Sequence, residues 1–223
     1  MIFSPKSIVI IAPHPDDETI ALGGTIARFS NANIKISILI VSGHLPPLYP
    51  KESFLETKEE AKIAFQLLGV KNYQFAEIPA TYIHTEPVSK VNGLISKFIK
   101  NNNPDLVFLP YPDRHIDHRV IFDASVVACR PIGNNHPKMV LAYETLSETH
   151  WNVPGVEPSF IPEFFIDITD NIEKKIEALS SYSSQLIGND SRSVEACKSL
   201  ARFRGSQNGC KYAEAFKVVR IIV

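Results

Sequence analysis

The sequence predicts an α/β fold, a Rossmann-like arrangement of three layers with a mainly parallel central sheet and helices on both faces. Short apolar runs alternate with segments of helical periodicity, which is typical of parallel sheets built from right-handed crossovers. The chain has 223 residues, 44% hydrophobic and 21% charged, so it can bury one sizeable core. It contains no Ser/Gly-rich linker, low-complexity tract or internal repeat. We therefore expect a single domain over residues 1–223.

The first half of the chain carries four strand patterns. Residues 7–11 form a continuous apolar run rich in β-branched side chains, as in a strand covered on both faces. The helical pattern that follows fades near residues 31–33. Gly69 lies where a helix C-terminus favours a residue tolerant of positive φ, so it ends the second helix. The other predicted elements are strands over residues 35–41, 73–76 and 106–109 and helices over 52–68 and 88–100.

The second half of the chain is less regular. Its predicted elements are strands over residues 139–143 and 164–168 and helices over 171–181 and 194–203. The three cysteines, Cys129, Cys197 and Cys210, are widely spaced and form no CxxC pair. This odd set favours reduced structural cysteines, as in a cytosolic protein.

Charge and hydropathy exclude several classes of protein. Lys and Arg number 23 against 24 Asp and Glu, a net charge of −1, so nothing favours nucleic-acid binding. No apolar run approaches the roughly 20 residues that a membrane-spanning helix needs. The first residues lack the basic and apolar regions of a secretory signal. We expect a cytoplasmic protein with no membrane span and no nucleic-acid partner.

Histidine and carboxylate side chains concentrate at two places, each just past the carboxyl end of a predicted strand. Residues 12–18 follow the first strand, and residues 112–118 follow the fourth. In doubly wound sheets, ligands bind at this end of the strands. Imidazole and carboxylate are suitable zinc ligands, and a catalytic zinc site takes three protein ligands with one position left for water. The clusters together favour one metal site, with acidic groups left over for a general base.

Several assignments within the clusters stay open. His14 and Asp17 with one histidine of the second cluster would complete a ligand set. His115 and His118 are three residues apart, so at a helix start one can bind metal while the other faces substrate. Alternatively, Asp16 and Asp17 stabilise a helix start and the histidines of the second cluster lie on the surface. Helix capping does not readily account for two such clusters at two strand ends. A metal bound by both clusters requires strands one and four to be neighbours in the sheet.

The motifs HPDDE at residues 14–18 and HIDH at residues 115–118 resemble the signature pair of the PIG-L/LmbE-like family of zinc-dependent N-acetylsugar deacetylases. Supporting likeness extends over nearly the whole chain, at residues 23–25, 60–61, 68–70, 143–145, 151–152, 184–185, 204–205, 209, 212–214 and 216. The resemblance implies one zinc ion, and the family's ligands fall on His14, Asp17 and His118. Its general base falls on Asp16, and the histidine that assists the oxyanion and the leaving amine falls on His115. We expect Asp117 to orient His115, since histidines in such sites usually need a further acceptor.

The activity implied by the resemblance is removal of the N-acetyl group from an N-acetylglucosamine-type sugar conjugate, a small molecule, with release of acetate and a free amine. The resemblance is also compatible with a homo-oligomer. Two alternatives remain, a zinc-dependent amidase for another small N-acyl compound and an inactive sugar-binding homologue. Two departures from the family pattern concern the substrate. The segment Ser42-Gly43-His44 stands where the family often has an acidic, glycine-rich segment, and Thr57 stands where we expect an arginine that contacts the substrate. They leave the aglycone open and argue against a phosphate-bearing sugar.

Other residues receive plainer interpretations. We expect His44, His84, His136 and His150 to be loop histidines, of which His44 and His150 are the better candidates for a site role. Trp151 is expected in the core or an interface, with a sugar-stacking platform as the alternative. The Gly23-Gly24 pair does not have the spacing of a dinucleotide fingerprint, so no nucleotide cofactor is expected.

Overall fold

The computed structural model describes residues 5–133, 135–186, 188 and 190–222, and these form a seven-stranded sheet with helices on both faces. The strands are β1 Ser7–Ala12, β2 Lys35–Gly43, β3 Asn72–Pro79, β4 Leu106–Pro110, β5 Met139–Tyr143, β6 Phe164–Asp167 and β7 Ala213–Ile221. The helices are α1 Asp17–Asn31, α2 Lys51–Leu68, α3 Val88–Asn102, α4 Ile116–Ala128, α5 Ile172–Leu179, α6 Ser183–Leu186 and α7 Val194–Ser206.

The strand order is β3-β2-β1-β4-β5-β7-β6. The five strands from β3 to β5 are parallel, and β7 runs antiparallel to both β5 and β6. Val9 of β1 is in register with Val107 of β4, so the predicted adjacency of strands one and four is confirmed. The predicted α/β fold with a mainly parallel sheet is confirmed as well.

The sheet separates two hydrophobic cores. Along β1 the side chains alternate, with Ile8 and Ile10 in the core shared with α1, α2 and α5. Val9 and Ile11 lie in the core shared with α3 and α4. Because both faces are covered, every residue of β1 after Ser7 is buried, as its continuous apolar run predicts.

The main correction to the predicted elements is β7, which sequence analysis does not predict. Charged residues interrupt its apolar pattern, yet the strand lies inside the sheet between β5 and β6. The charge of Glu214 is satisfied locally, because its carboxylate accepts hydrogen bonds from the backbone N–H groups of Gly24 and Thr25 and pairs with Lys175 Nζ at 2.6 Å. The other predicted elements differ from the observed ones mainly at their ends, and Gly69 follows α2 with a φ of 76°.

Two glycines set the spacing between α1 and the elements packed on it. A Cβ atom on Gly24 would lie 2.6 Å from Ile168 Cδ1, and one on Gly23 would lie 2.9 Å from Lys175 Cγ. Both distances are too short for real contacts, so this turn of α1 needs residues without a Cβ atom. In the parts of the chain that the structure describes, no helix is long and apolar enough to cross a membrane.

Candidate active site

The two sequence motifs meet at the carboxyl ends of β1 and β4. His14 follows β1, whereas His115 and His118 lie at the start of α4, which follows β4. The ring centroid of His14 lies 4.6 Å from that of His115 and 5.6 Å from that of His118. Since β1 and β4 are adjacent and parallel, their ends bring together side chains that are about 100 residues apart in sequence.

His14, Asp17 and His118 form a group that could hold a metal ion, with ligand atoms all within 4.8 Å of one another. Asp17 Oδ2 lies 3.0 Å from His14 Nδ1 and 3.4 Å from His118 Nε2. His118 is fully buried, and its Nε2 has no hydrogen-bond partner among the described residues. A buried imidazole nitrogen without a partner, beside a second imidazole and a carboxylate, fits the donor set of a zinc site.

A carboxylate lies behind each of the two histidines of this group. Asp117 Oδ2 lies 3.0 Å from His14 Nε2 and also accepts the backbone N–H of Thr81 at 2.7 Å. Asp113 Oδ2 lies 2.9 Å from His118 Nδ1 and accepts the hydroxyl of Thr149 at 2.9 Å. Such carboxylate–histidine pairs fix ring orientation and tautomer in metal sites. Sequence analysis assigns Asp113 no role, although it lies within the second cluster.

The position of Asp117 differs from the expectation that it orients His115. Its Oδ2 is 3.9 Å from His115 Nδ1 but 3.0 Å from His14 Nε2. The reason lies in the start of α4, where His115 is the N-cap residue and its Nδ1 accepts the backbone N–H of Asp117 at 3.2 Å. The main chain of Asp117 therefore orients His115, while its carboxylate is free to contact His14.

His115 is suited to act as a neutral hydrogen-bond donor. Because Nδ1 accepts a hydrogen bond from the backbone, the proton of the neutral ring lies on Nε2. Burial and the charges of His14 and His118 lower the pKa of His115 to about 4. A neutral imidazole with an Nε2–H group can donate to an oxygen that becomes negatively charged.

Asp16 occupies the N-cap position of α1 without capping it through its side chain. Its φ is 116°, a strained value for a residue other than glycine, and its carboxylate makes no cap hydrogen bond. The carboxylate instead accepts a hydrogen bond from Arg192 Nη1 at 3.0 Å. Burial raises the pKa of Asp16 to about 7, against the opposing charge of Arg192. Asp16 therefore lies at the N-cap position without capping α1 through its side chain, and its properties fit a proton acceptor near neutral pH.

Three further residues of the site are missed by sequence analysis. Tyr182 donates its hydroxyl to Glu18 Oε1 at 2.6 Å, and Glu18 Oε2 in turn accepts the backbone N–H of Asp16 at 3.3 Å. Arg192 reaches both Asp16 and Glu148. No sequence motif marks Tyr182, Glu148 or Arg192, because each comes from a segment far from residues 14–18 in sequence.

The remaining histidines lie outside the group of possible metal ligands. His44 contacts the ring of Tyr49, with 4.4 Å between centroids, and its pKa is lowered by burial and by the charges of His14 and Arg192. His150 Nε2 lies 3.0 Å from Glu144 Oε2. The other two are peripheral: His84 is exposed and His136 contacts the carbonyl oxygen of Gly133.

The structure also shows the surroundings of Trp151 and Thr57, two residues singled out by the sequence analysis. The side chain of Trp151 is 63% exposed, so the expectation that it lies in the core is wrong and an interface or a stacking role remains. Thr57 is buried, and its hydroxyl donates to backbone carbonyl groups of the preceding turn of α2. Lys58 pairs with Glu77 at 2.6 Å.

Comparisons with known proteins agree with the signature pair. The family model described as PIG-L, GlcNAc-PI de-N-acetylase, matches residues 9–129, which include both motifs. A diacetylchitobiose deacetylase from Thermococcus kodakarensis is 28% identical over 96% of this chain and 83% of its own. A probable N-acetyl-alpha-D-glucosaminyl L-malate deacetylase 2 from Bacillus anthracis is 27% identical over 81% of both chains.

The fold is shared more widely than the reaction. The solved structure of a 4-carboxy-2-hydroxymuconate hydratase from Pseudomonas putida KT2440 has a TM-score of 0.79 and 18% identity, covering 98% of both chains. At this level of identity the likeness shows the fold alone. Since its name and those of the deacetylases describe different reactions, the reaction has to be argued from the side chains of the site.

Proposed function

Because this chain belongs to the PIG-L family, we propose that it is a zinc-dependent deacetylase that removes the N-acetyl group from an N-acetylglucosamine-type sugar conjugate. The observation that carries the proposal is the grouping of His14, Asp17 and His118 beside the buried carboxylate of Asp16. A metal site with an adjacent proton acceptor has what amide hydrolysis requires.

His14, Asp17 and His118 would hold the zinc ion. When bound there, zinc would lower the pKa of a water molecule to about 7 and polarise the acyl carbonyl group. Asp113 and Asp117 keep the two imidazole rings oriented from behind, through contacts of 2.9 Å and 3.0 Å. Asp17, His118 and the two supporting carboxylates are buried, which strengthens the electrostatic interactions among them.

Asp16 and His115 would perform the proton and charge chemistry. Asp16 accepts the proton of the attacking water molecule as the bond to the acetyl carbon forms. His115 donates its Nε2–H to the carbonyl oxygen, where negative charge develops. The bond between the acetyl carbon and nitrogen then breaks, and the leaving nitrogen takes up the proton that Asp16 accepted from water, which returns Asp16 to its carboxylate form. One water molecule is consumed, and acetate and a free amine are released.

The experiment measures acetate release by the purified protein. The panel contains N-acetylglucosamine, diacetylchitobiose, an N-acetylglucosaminyl malate and unrelated N-acyl amines, each tested after chelation and after zinc is added back. Asp16→Asn serves as the control for catalysis by this site. We expect release from at least one N-acetylated sugar, loss of release on chelation and recovery with zinc.

Each alternative function has its own outcome in this assay. Turnover of the unrelated N-acyl amines alone would favour the amidase. Sugar binding, detected by calorimetry, with no acetate release would favour an inactive sugar-binding protein. A purified protein that contains no metal and gains nothing from added zinc would contradict the proposed cofactor.

A further inference from the structure

Arg192 reaches the candidate active site from the short turn that precedes α7. Its Nη1 donates to Asp16 Oδ2 at 3.0 Å, across 176 residues of sequence. Among the lysines and arginines of the described ranges, only Arg192 makes an ion pair with Asp16 or Asp17. Within the described residues, this contact therefore links a permanently charged cation directly to the acidic residues at the start of α1.

The N-cap and first turn of α1 together place three carboxylates next to one another with little solvent. Asp16, Asp17 and Glu18 are 2%, 3% and 0% exposed. Asp17 lies against the imidazoles of His14 and His118, and Glu18 accepts the hydroxyl groups of Thr19 and Tyr182. The side-chain partner left for Asp16 is Arg192. Without that partner, the Asp16 carboxylate would face the neighbouring carboxylates with no cation in contact with it.

Arg192 is itself held from the other side of the site. Its Nη2 lies 3.4 Å from Glu148 Oε1, while its Nε is buried and has no partner among the described residues. Glu148 precedes Thr149, whose hydroxyl donates to Asp113, the carboxylate behind His118. The guanidinium group thus connects Asp16 to the same loop that supports His118.

We propose that Arg192 is a positioning residue that holds the Asp16 carboxylate in the orientation required of the general base, and that Glu148 holds Arg192 in turn. This proposal rests on the function proposed above. The side chains of Arg192 and Glu148 are 22% and 15% exposed, so the pair lies at the edge of the site rather than in its centre. Arg192 acts through Asp16 and not as a ligand of the metal.

The test compares Arg192→Met and Arg192→Lys with Arg202→Met, a matched change at an exposed arginine of α7. We expect Arg192→Met to lower kcat by roughly 10²-fold, at the lower end of the loss of a general base, with KM within about threefold of the parent. Zinc content should equal that of the parent, and the protein should remain folded. The kcat of Arg192→Lys should fall between those of the parent and of Arg192→Met. Added guanidinium should restore part of the kcat of Arg192→Met and leave Arg202→Met unchanged.

A second measurement does not depend on turnover. In crystal structures of the two methionine variants, Asp16 should leave its parental rotamer in Arg192→Met and keep it in Arg202→Met. The proposal is overturned if Asp16 keeps that rotamer in both variants, or if Arg192→Met raises KM while kcat stays within twofold of the parent. If the parent releases no acetate from any sugar, the proposed function fails, and the rotamer comparison still decides the role of Arg192.

Discussion

Asp16 and Asp17 are adjacent and chemically identical, yet their surroundings give them different properties. Burial alone would raise the pKa of Asp17, but the imidazoles of His118 and His14 outweigh burial and lower it well below its ordinary value. For Asp16 burial outweighs the opposing charges of Arg192 and His14 and raises the pKa to about 7. Asp17 is thus ready to bind a cation, whereas Asp16 can accept a proton.

Asparagine substitutions separate these two roles. Asp16→Asn should keep the metal and the fold while kcat falls by about 10²–10⁴-fold, because a proton acceptor is lost. Asp17→Asn should lose metal, and added zinc should restore part of its activity. Elemental analysis and acetate release on both variants provide the measurement. A metal-free Asp16→Asn protein, or one nearly as active as the parent, would reverse the assignment.

The carboxylates behind His14 and His118 allow a second prediction at the same scale. Asp117→Asn and Asp113→Asn should each weaken zinc binding by about 10–100-fold, since these side chains orient the two imidazoles. Asp123→Asn is the matched control, an exposed aspartate of α4. Zinc affinity is measured by competition with a chromophoric chelator. Equal affinities for Asp113→Asn and the control would show that Asp113 does not support His118.

At the scale of single elements, α1 has to satisfy packing requirements along with those of the site. Its first turn carries the acidic residues, and its next turn carries Gly23 and Gly24 against α5 and the segment after β6. Glycine weakens a helix by about 1 kcal/mol relative to alanine. Here the close approach of Ile168 and Lys175 requires it.

An alanine at position 24 tests that requirement. Its Cβ would lie 2.6 Å from Ile168 Cδ1, so Gly24→Ala should destabilise the protein by roughly 1–3 kcal/mol despite the better helix propensity. Gly93→Ala in α3 is the control, because nothing lies within 4 Å of the added atom. It should stabilise the protein by about 0.5–1 kcal/mol. Urea unfolding gives both values, and a stabilising Gly24→Ala would contradict the packing argument.

At the scale of the whole molecule, buried ion pairs connect the second half of the chain to the sheet. Arg204 of α7 binds Glu144, the residue after β5, through Nη2 at 2.6 Å and Nε at 2.9 Å. Burial alone would raise the pKa of Glu144, but hydrogen bonds from His150 and Arg204 outweigh it and lower the pKa. This contribution to stability is present at neutral pH and is lost as the pH falls and Glu144 becomes protonated.

The pH dependence of stability tests this pair. At pH 7 Glu144→Gln should lower the free energy of unfolding by roughly 3 kcal/mol, because Arg204 keeps a buried charge without its partner. The difference between parent and variant should shrink as the pH falls through about 4.5, the ordinary range of a glutamate. Glu173→Gln, which removes an exposed ion pair with Lys198, should change stability by less than about 0.5 kcal/mol at either pH. A difference independent of pH would contradict the assigned linkage.

The sequence by itself determined the features that depend on local pattern. Continuous apolar runs mark strands buried on both faces, and they identify β1, β2 and β4 almost to the residue. The rule that ligands bind at strand ends then places His14 beside His118, which the structure confirms. Ligand chemistry and spacing are local properties, so the motifs could be found without knowledge of the fold.

Only the tertiary structure decided how distant segments complete the site. The charged strand β7 is stable inside the sheet because Lys175 and the backbone N–H groups of Gly24 and Thr25 in α1 satisfy Glu214. The carboxylate of Asp117 lies closer to His14 than to His115 because the turn into α4 directs it toward the end of β1. Arg192 meets Asp16 because the chain returns to the site before α7. Such contacts depend on the path of the whole chain and on side-chain rotamers, and no window of neighbouring residues contains that information.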